Sequence, residues 1–168
     1  MIEVLNFNRE LITLLPETYR LLKGANLVVH HSVSRITLHG TRGLLGGYRD
    51  DSDLDLCLIA ETKRSPSRVD FGSLLREVFE TTLNHWQGDI ELDHAVAFDT
   101  MTCDLKCFDR THFDERECQK LRTGCLGMYK IGKGLNGFVP GEFMEVELMY
   151  PCLLIWRNEN SLTVPKPH

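Results

Sequence analysis

The chain has 168 residues, 42% of them hydrophobic and 26% charged, which excludes a disordered or low-complexity polymer and suits one globular domain spanning residues 1–168. A net charge of −5 and a pI near 5.8 argue against nonspecific nucleic-acid binding, which needs clustered Lys and Arg to displace counterions from phosphates. No basic leader with an apolar core opens the sequence and no apolar run approaches bilayer length, so a cytoplasmic protein acting on a small molecule or another protein is expected.

In chain order, Asn8 to Lys23 reads as helix, with Leu11, Leu14, Leu15, Tyr19 and Leu22 on one stripe, a kink or restart at Pro16 and a stop at Gly24. Leu27 to Val29 leads through His30 and His31 into a short strand, Arg35 to His39, rich in branched residues. Gly40-Thr41 ends that strand. A backbone without a side chain at Gly40 lets a ligand approach while the next amides point outward, the makings of a phosphate cradle. Gly43 to Asp51 is expected to hold a short helix or irregular turn; Arg42 before it contacts phosphate or braces the turn, and Ser52 after it contacts the loop or caps it. The following strand, through Ala60, carries Leu54, Leu56 and Leu58 as the apolar beat of a half-buried strand. Asp53 and Asp55, two residues apart, fall on one face about 7 Å from each other along the backbone. Two carboxylates so placed cannot both be buried bare and call for a cation between them.

Beyond a polar loop, Ser65-Pro66-Ser67 marks the start of a helix reaching about Trp86, with Val69, Phe71, Leu74, Leu75, Val78, Phe79, Leu83 and Trp86 as its core stripe and Gly88 as its end. A third strand, Asp89 to Phe98, alternates: Ile90, Leu92, Val96 and Phe98 share one face, and Glu91, Asp93, Ala95, Ala97 and Asp99 the other. With neighbouring strands about 4.8 Å apart, an acid on that second face, Asp93 first and Glu91 in reserve, can join Asp53 and Asp55 around an ion. Further on, a polar helix is expected from Asp109 or Thr111 to Arg122. The glycine-rich residues 124–141, with Lys130 and Lys133, read as hairpin turns and exposed loop or as a segment closing over a triphosphate; no Gly-Lys-Ser/Thr makes them a Walker loop. Glu142 to Met149 reads as a last helix, Leu153 to Trp156 as a closing strand, and the tail from Ser161 as frayed. Cysteines 57, 103, 107, 118, 125 and 152 form no Cys-x-x-Cys pair and read as reduced, with Cys57 and Cys152 in buried strands; a zinc site from Cys103, Cys107 and His112 lacks the usual structural spacing.

Gly40-Thr41, then Ser52-Asp53-Leu54-Asp55-Leu56, with Asp93 on the next strand, resembles the signature of the DNA polymerase beta-type nucleotidyltransferase superfamily, especially its small stand-alone members. The chain departs from the family pattern in having Thr41 for the usual Ser, Gly43 for a frequent Ala, and extra glycines at 46 and 47. The resemblance implies a mixed β-sheet with helices mainly on one side, an α/β (α+β) nucleotidyltransferase fold. It implies Asp53, Asp55 and Asp93 as catalytic metal ligands for Mg²⁺, with Mn²⁺ as an alternative, and Gly40, Thr41, Arg42 and Ser52 as the nucleotide-binding set for a triphosphate such as ATP. The implied reaction moves a nucleoside monophosphate to a hydroxyl or amine on a small molecule or protein, with a second subunit or a helical partner protein completing the acceptor pocket. Two other roles are compatible with it: the antitoxin half of a toxin–antitoxin pair, with or without transferase activity, and a nucleotide-binding domain without chemistry.

Overall fold

In the computed structural model, residues 5–61, 68–99, 128–130, 137–139 and 151–159 are described. Two short helices open the chain, α1 (Arg9–Leu14) and α2 (Pro16–Gly24). Pro16 is the first residue of α2 and Leu15 before it leaves the helical region, at φ −135° and ψ 62°. The proline has no N–H to continue α1, and its ring disfavours helical geometry in the residue ahead of it. The break also rephases the apolar stripe. Leu11 and Leu22 are buried, whereas Leu14, expected with them on one stripe, is 56% exposed.

The strands are β1 (Val33–His39), β2 (Leu54–Glu61), β3 (Leu92–Asp99), β4 (Met128–Lys130), β5 (Gly137–Val139) and β6 (Leu153–Arg157), and a long helix, α3 (Arg68–His85), joins β2 to β3. Together the described strands make one mixed sheet in the order β5-β4-β3-β2-β1-β6. β2 and β3 run parallel, as a helical crossover between them requires, and the other neighbours pair antiparallel. The closing strand β6 is thus an edge strand beside β1, held further by Asn8, whose N–H and side-chain amide donate to the carbonyls of Ile155 (2.7 Å) and Leu154 (3.0 Å). Part of the glycine-rich segment forms the β4–β5 pair at the opposite edge. The helices read at 109–122 and 142–149, the frayed tail from Ser161 and the Cys103, Cys107 and His112 cluster lie outside the described residues.

One face of the sheet meets the helices. Ile36 and Leu38 of β1, Leu54, Leu56 and Leu58 of β2, Leu92 and Val96 of β3 and Ile155 of β6 form a single core with Leu11, Leu22, Val78 and Phe79 from α1, α2 and α3. On α3 the buried stripe runs through Val78, Phe79 and Thr82; Leu83, expected in it, is 45% exposed. The opposite face of the central strands is buried as well: Thr37, Cys57, Ile59, Ala95 and Ala97 all lie out of solvent. β2 is therefore closed on both sides rather than half-buried, which is the condition parallel strands usually meet and which its unbroken run Leu56 to Ala60 suits. Cys57 and Cys152 are free and buried, and burial, first among several causes, pushes the Cys57 thiol far above its ordinary range. No helix among the described residues is long and apolar enough to cross a membrane.

Candidate active site

The parallel register of β2 and β3 sets Asp55 directly opposite Asp93. Residues opposed in a ladder point to the same face, so the two carboxylates rise side by side from the face away from the helices. Asp53, one residue before β2, reaches the same place, because the chain is already fixed there: the Leu54 N–H donates to the Glu91 carbonyl at 3.0 Å. Each of the three acids offers an oxygen within 4.8 Å of the others, and all three are half-buried. The third strand supplies Asp93 and not its reserve, Glu91, which lies exposed just before β3. Three carboxylate oxygens this close together could hold a hard divalent cation such as Mg²⁺, Mn²⁺ or Ca²⁺.

The glycine turn is built against this cluster. Gly40 has φ +71°, and a side chain added to it would collide with the Asp55 carboxylate oxygen Oδ2. In the β1–β2 ladder His39 stands opposite Asp55, so β1 delivers the turn to the acids by register alone. His39 itself is buried, with Nε2 2.7 Å from the Thr37 hydroxyl. From Gly40 the chain makes a tight turn, the Gly43 N–H donating to the Gly40 carbonyl at 3.0 Å, and continues without helix to Asp53; of the two forms expected for residues 43–51, the irregular turn is the one present.

Arg42 holds that loop. Its side chain is 6% exposed; Nε donates to the Ser52 carbonyl at 2.7 Å, and one terminal nitrogen donates to the carbonyls of Arg49 and Asp50 at 3.2 Å each. Its guanidinium lies over the Tyr48 ring, 4.7 Å from the centroid. Of the two roles open to Arg42 in the sequence, the geometry supplies bracing. Ser52 closes the same loop, its hydroxyl accepting from the Arg49 N–H at 2.8 Å. Thr18 of α2 ties the loop to the body by donating to the Arg42 carbonyl at 2.7 Å. Thr41 is partly exposed beside Gly40, open to a ligand at the turn.

Sequence reasoning nominated the three acids that cluster in the structure but passed over Thr18 and Tyr48. His39 adjoins Gly40 in the sequence, and only the ladder register shows that it stands opposite Asp55. The comparisons add no relative to this picture: the chain matches no protein-family model, no curated protein and no solved structure.

Proposed function

We propose that the protein is a Mg²⁺-dependent nucleotidyltransferase that moves a nucleoside monophosphate from a nucleoside triphosphate to a hydroxyl or amine acceptor. The observation that supports this reading is the meeting of three acids from β3 and the start of β2 with a glycine turn packed on one of them. An isolated acidic cluster suits many surfaces, but here a tight backbone turn packs on the Asp55 carboxylate, so its amides and the Thr41 hydroxyl are the groups that would meet an anion beside a bound cation. That pairing is what polyphosphate chemistry needs, since divalent ions bridge protein carboxylates and phosphate oxygens.

Asp53 and Asp55 would hold the ions together with Asp93, and the bound metal supplies charge neutralisation of the phosphates and a lowered pKa for the attacking hydroxyl. The backbone at Gly40 and the hydroxyl of Thr41 bind the terminal phosphates and orient the chain of phosphorus atoms. Asp93 would take the proton of the attacking group. The acceptor oxygen or nitrogen then forms its bond to the α-phosphorus as the bond to the β-phosphate oxygen breaks, and pyrophosphate leaves with the electron pair.

Incubation of the protein with Mg²⁺, each α-labelled triphosphate and a panel of amine, hydroxyl and protein acceptors should give labelled acceptor and pyrophosphate. Asp53→Asn and Asp55→Asn should each lower turnover by roughly 100-fold or more, since the metal supplies several kcal/mol of transition-state stabilisation. Both variants should stay folded. Mg²⁺ should raise the melting temperature of the wild type and leave that of the variants unmoved, because only a protein that binds the ion is stabilised by mass action. Full turnover in both variants would rule the mechanism out.

A further inference from the structure

We propose that Tyr48 is the stacking surface for the base of the nucleoside triphosphate and that Arg42 is the residue that positions it, an inference that rests on the transferase reading above. Tyr48 is 42% exposed in the loop that begins at Gly40 and ends at Asp53, so the residues flanking the proposed phosphate and metal sites are the two ends of the segment that carries the ring. An exposed aromatic in a glycine-rich loop would ordinarily sample several rotamers. Here one face of the ring rests on a guanidinium that is itself buried and held by three backbone carbonyls. A cation over a ring face is attractive, and a cation that cannot move fixes the ring in turn.

Gly46 and Gly47, both at positive φ, make the bend immediately before Tyr48, and Leu44 and Leu45 are exposed on the same loop, Leu45 at 62%. Three exposed apolar side chains, one of them an oriented ring, thus fall on one loop. Three such side chains offer far less than the roughly 800 Å² on each partner usual in a protein interface, and suit a planar heterocycle better. Through Arg42 the ring is also connected to Ser52, the residue next to Asp53. A triphosphate anchored at Gly40 and the three acids therefore has its base as the part left to contact this loop. Stacking of this kind accepts any base and favours purines by area.

Calorimetric titration of the full chain with Mg²⁺ and either ATP or inorganic tripolyphosphate tests this, using the wild type, Tyr48→Ala and Tyr48→Phe. Stacking predicts that Tyr48→Ala weakens ATP binding by roughly 5- to 100-fold, leaves tripolyphosphate affinity within twofold, and that Tyr48→Phe restores ATP binding. Circular dichroism of Tyr48→Ala should match the wild type. If Tyr48→Ala weakens both ligands alike, or neither, the stacking role is overturned while wild-type tripolyphosphate binding leaves the transferase reading standing. If the wild type binds neither ligand in Mg²⁺, both fall.

Discussion

Gly40 is the residue at which the proposed anion seat meets the three acids. Its φ of +71° lies where a side chain strains the backbone, and the space a methyl group would need holds Asp55 Oδ2. Gly40→Ala should therefore cost about 1–2 kcal/mol of stability for the left-handed geometry. It should also displace a metal ligand, so Mg²⁺ and triphosphate affinity should fall together, by more than the stability loss explains. Denaturant unfolding in the absence of metal measures the first effect and Mn²⁺ titration the second. The sequence nominated Gly40 as a turn residue and Asp55 as a ligand. It could not show that one packs against the other, because their contact depends on the register of two strands joined by a loop whose length does not fix that register. Arg42 is a parallel case: its type suited phosphate, but a buried guanidinium takes the acceptors that surround it, and here these are the carbonyls of its own loop.

Among the elements, the loop from Gly40 to Asp53 has no helix or strand of its own, so its order comes from side chains: Arg42 within it, Ser52 at its end and Thr18 across from it. The Thr18 hydrogen bond is buried. Thr18→Val keeps the shape and removes the donor, leaving the Arg42 carbonyl unpaired in the interior at a cost of about 1–3 kcal/mol. The loop should then be cut by trypsin at Arg49 faster than in the wild type while the core strands stay protected, which limited proteolysis with mass spectrometry measures. The helices show the same division between local and tertiary control. A period of three and four located α3, but the buried place near its end went to Thr82 and left Leu83 in solvent, because which side of a helix turns inward is set by the sheet it meets. Likewise Pro16 announced a break, and the angle of that break decided that Leu14 would face water.

At the scale of the whole molecule, the strand that presents Asp93 on one face presents His94 on the other, inside the core against the Phe79 ring at 5.0 Å between centroids. Burial lowers the His94 pKa to about 4, the charge of Asp93 and a hydrogen bond involving Phe79 opposing it only in part. Its Nε2 is buried without a hydrogen-bond partner among the described residues. The unfolded chain binds this proton near pH 6.5 and the native state near pH 4, so the unfolded state holds more protons between these values. Stability is therefore lost as pH falls through that window, by on the order of 3 kcal/mol for a shift of this size, and is constant with respect to this group above about pH 7. Urea unfolding from pH 4 to 8 should show a steeper fall for the wild type than for His94→Leu, the difference between the two isolating this group from the carboxylates. By itself the sequence located α3 and strands β1, β2, β3 and β6 from their apolar periods, and two-residue alternation put Asp53 with Asp55 and nominated Asp93; the short strands β4 and β5, in a glycine-rich segment without such a period, it read as hairpin turns and loop. Only the tertiary structure decided that β2 and β3 run parallel in the register that opposes Asp55 to Asp93, that β2 is buried on both faces, and that Arg42 braces its loop beneath Tyr48. The physical reason is range: periodicity and turn chemistry act between residues a few positions apart, whereas register, burial and the partners of a buried charge are set by chain segments that meet only after folding.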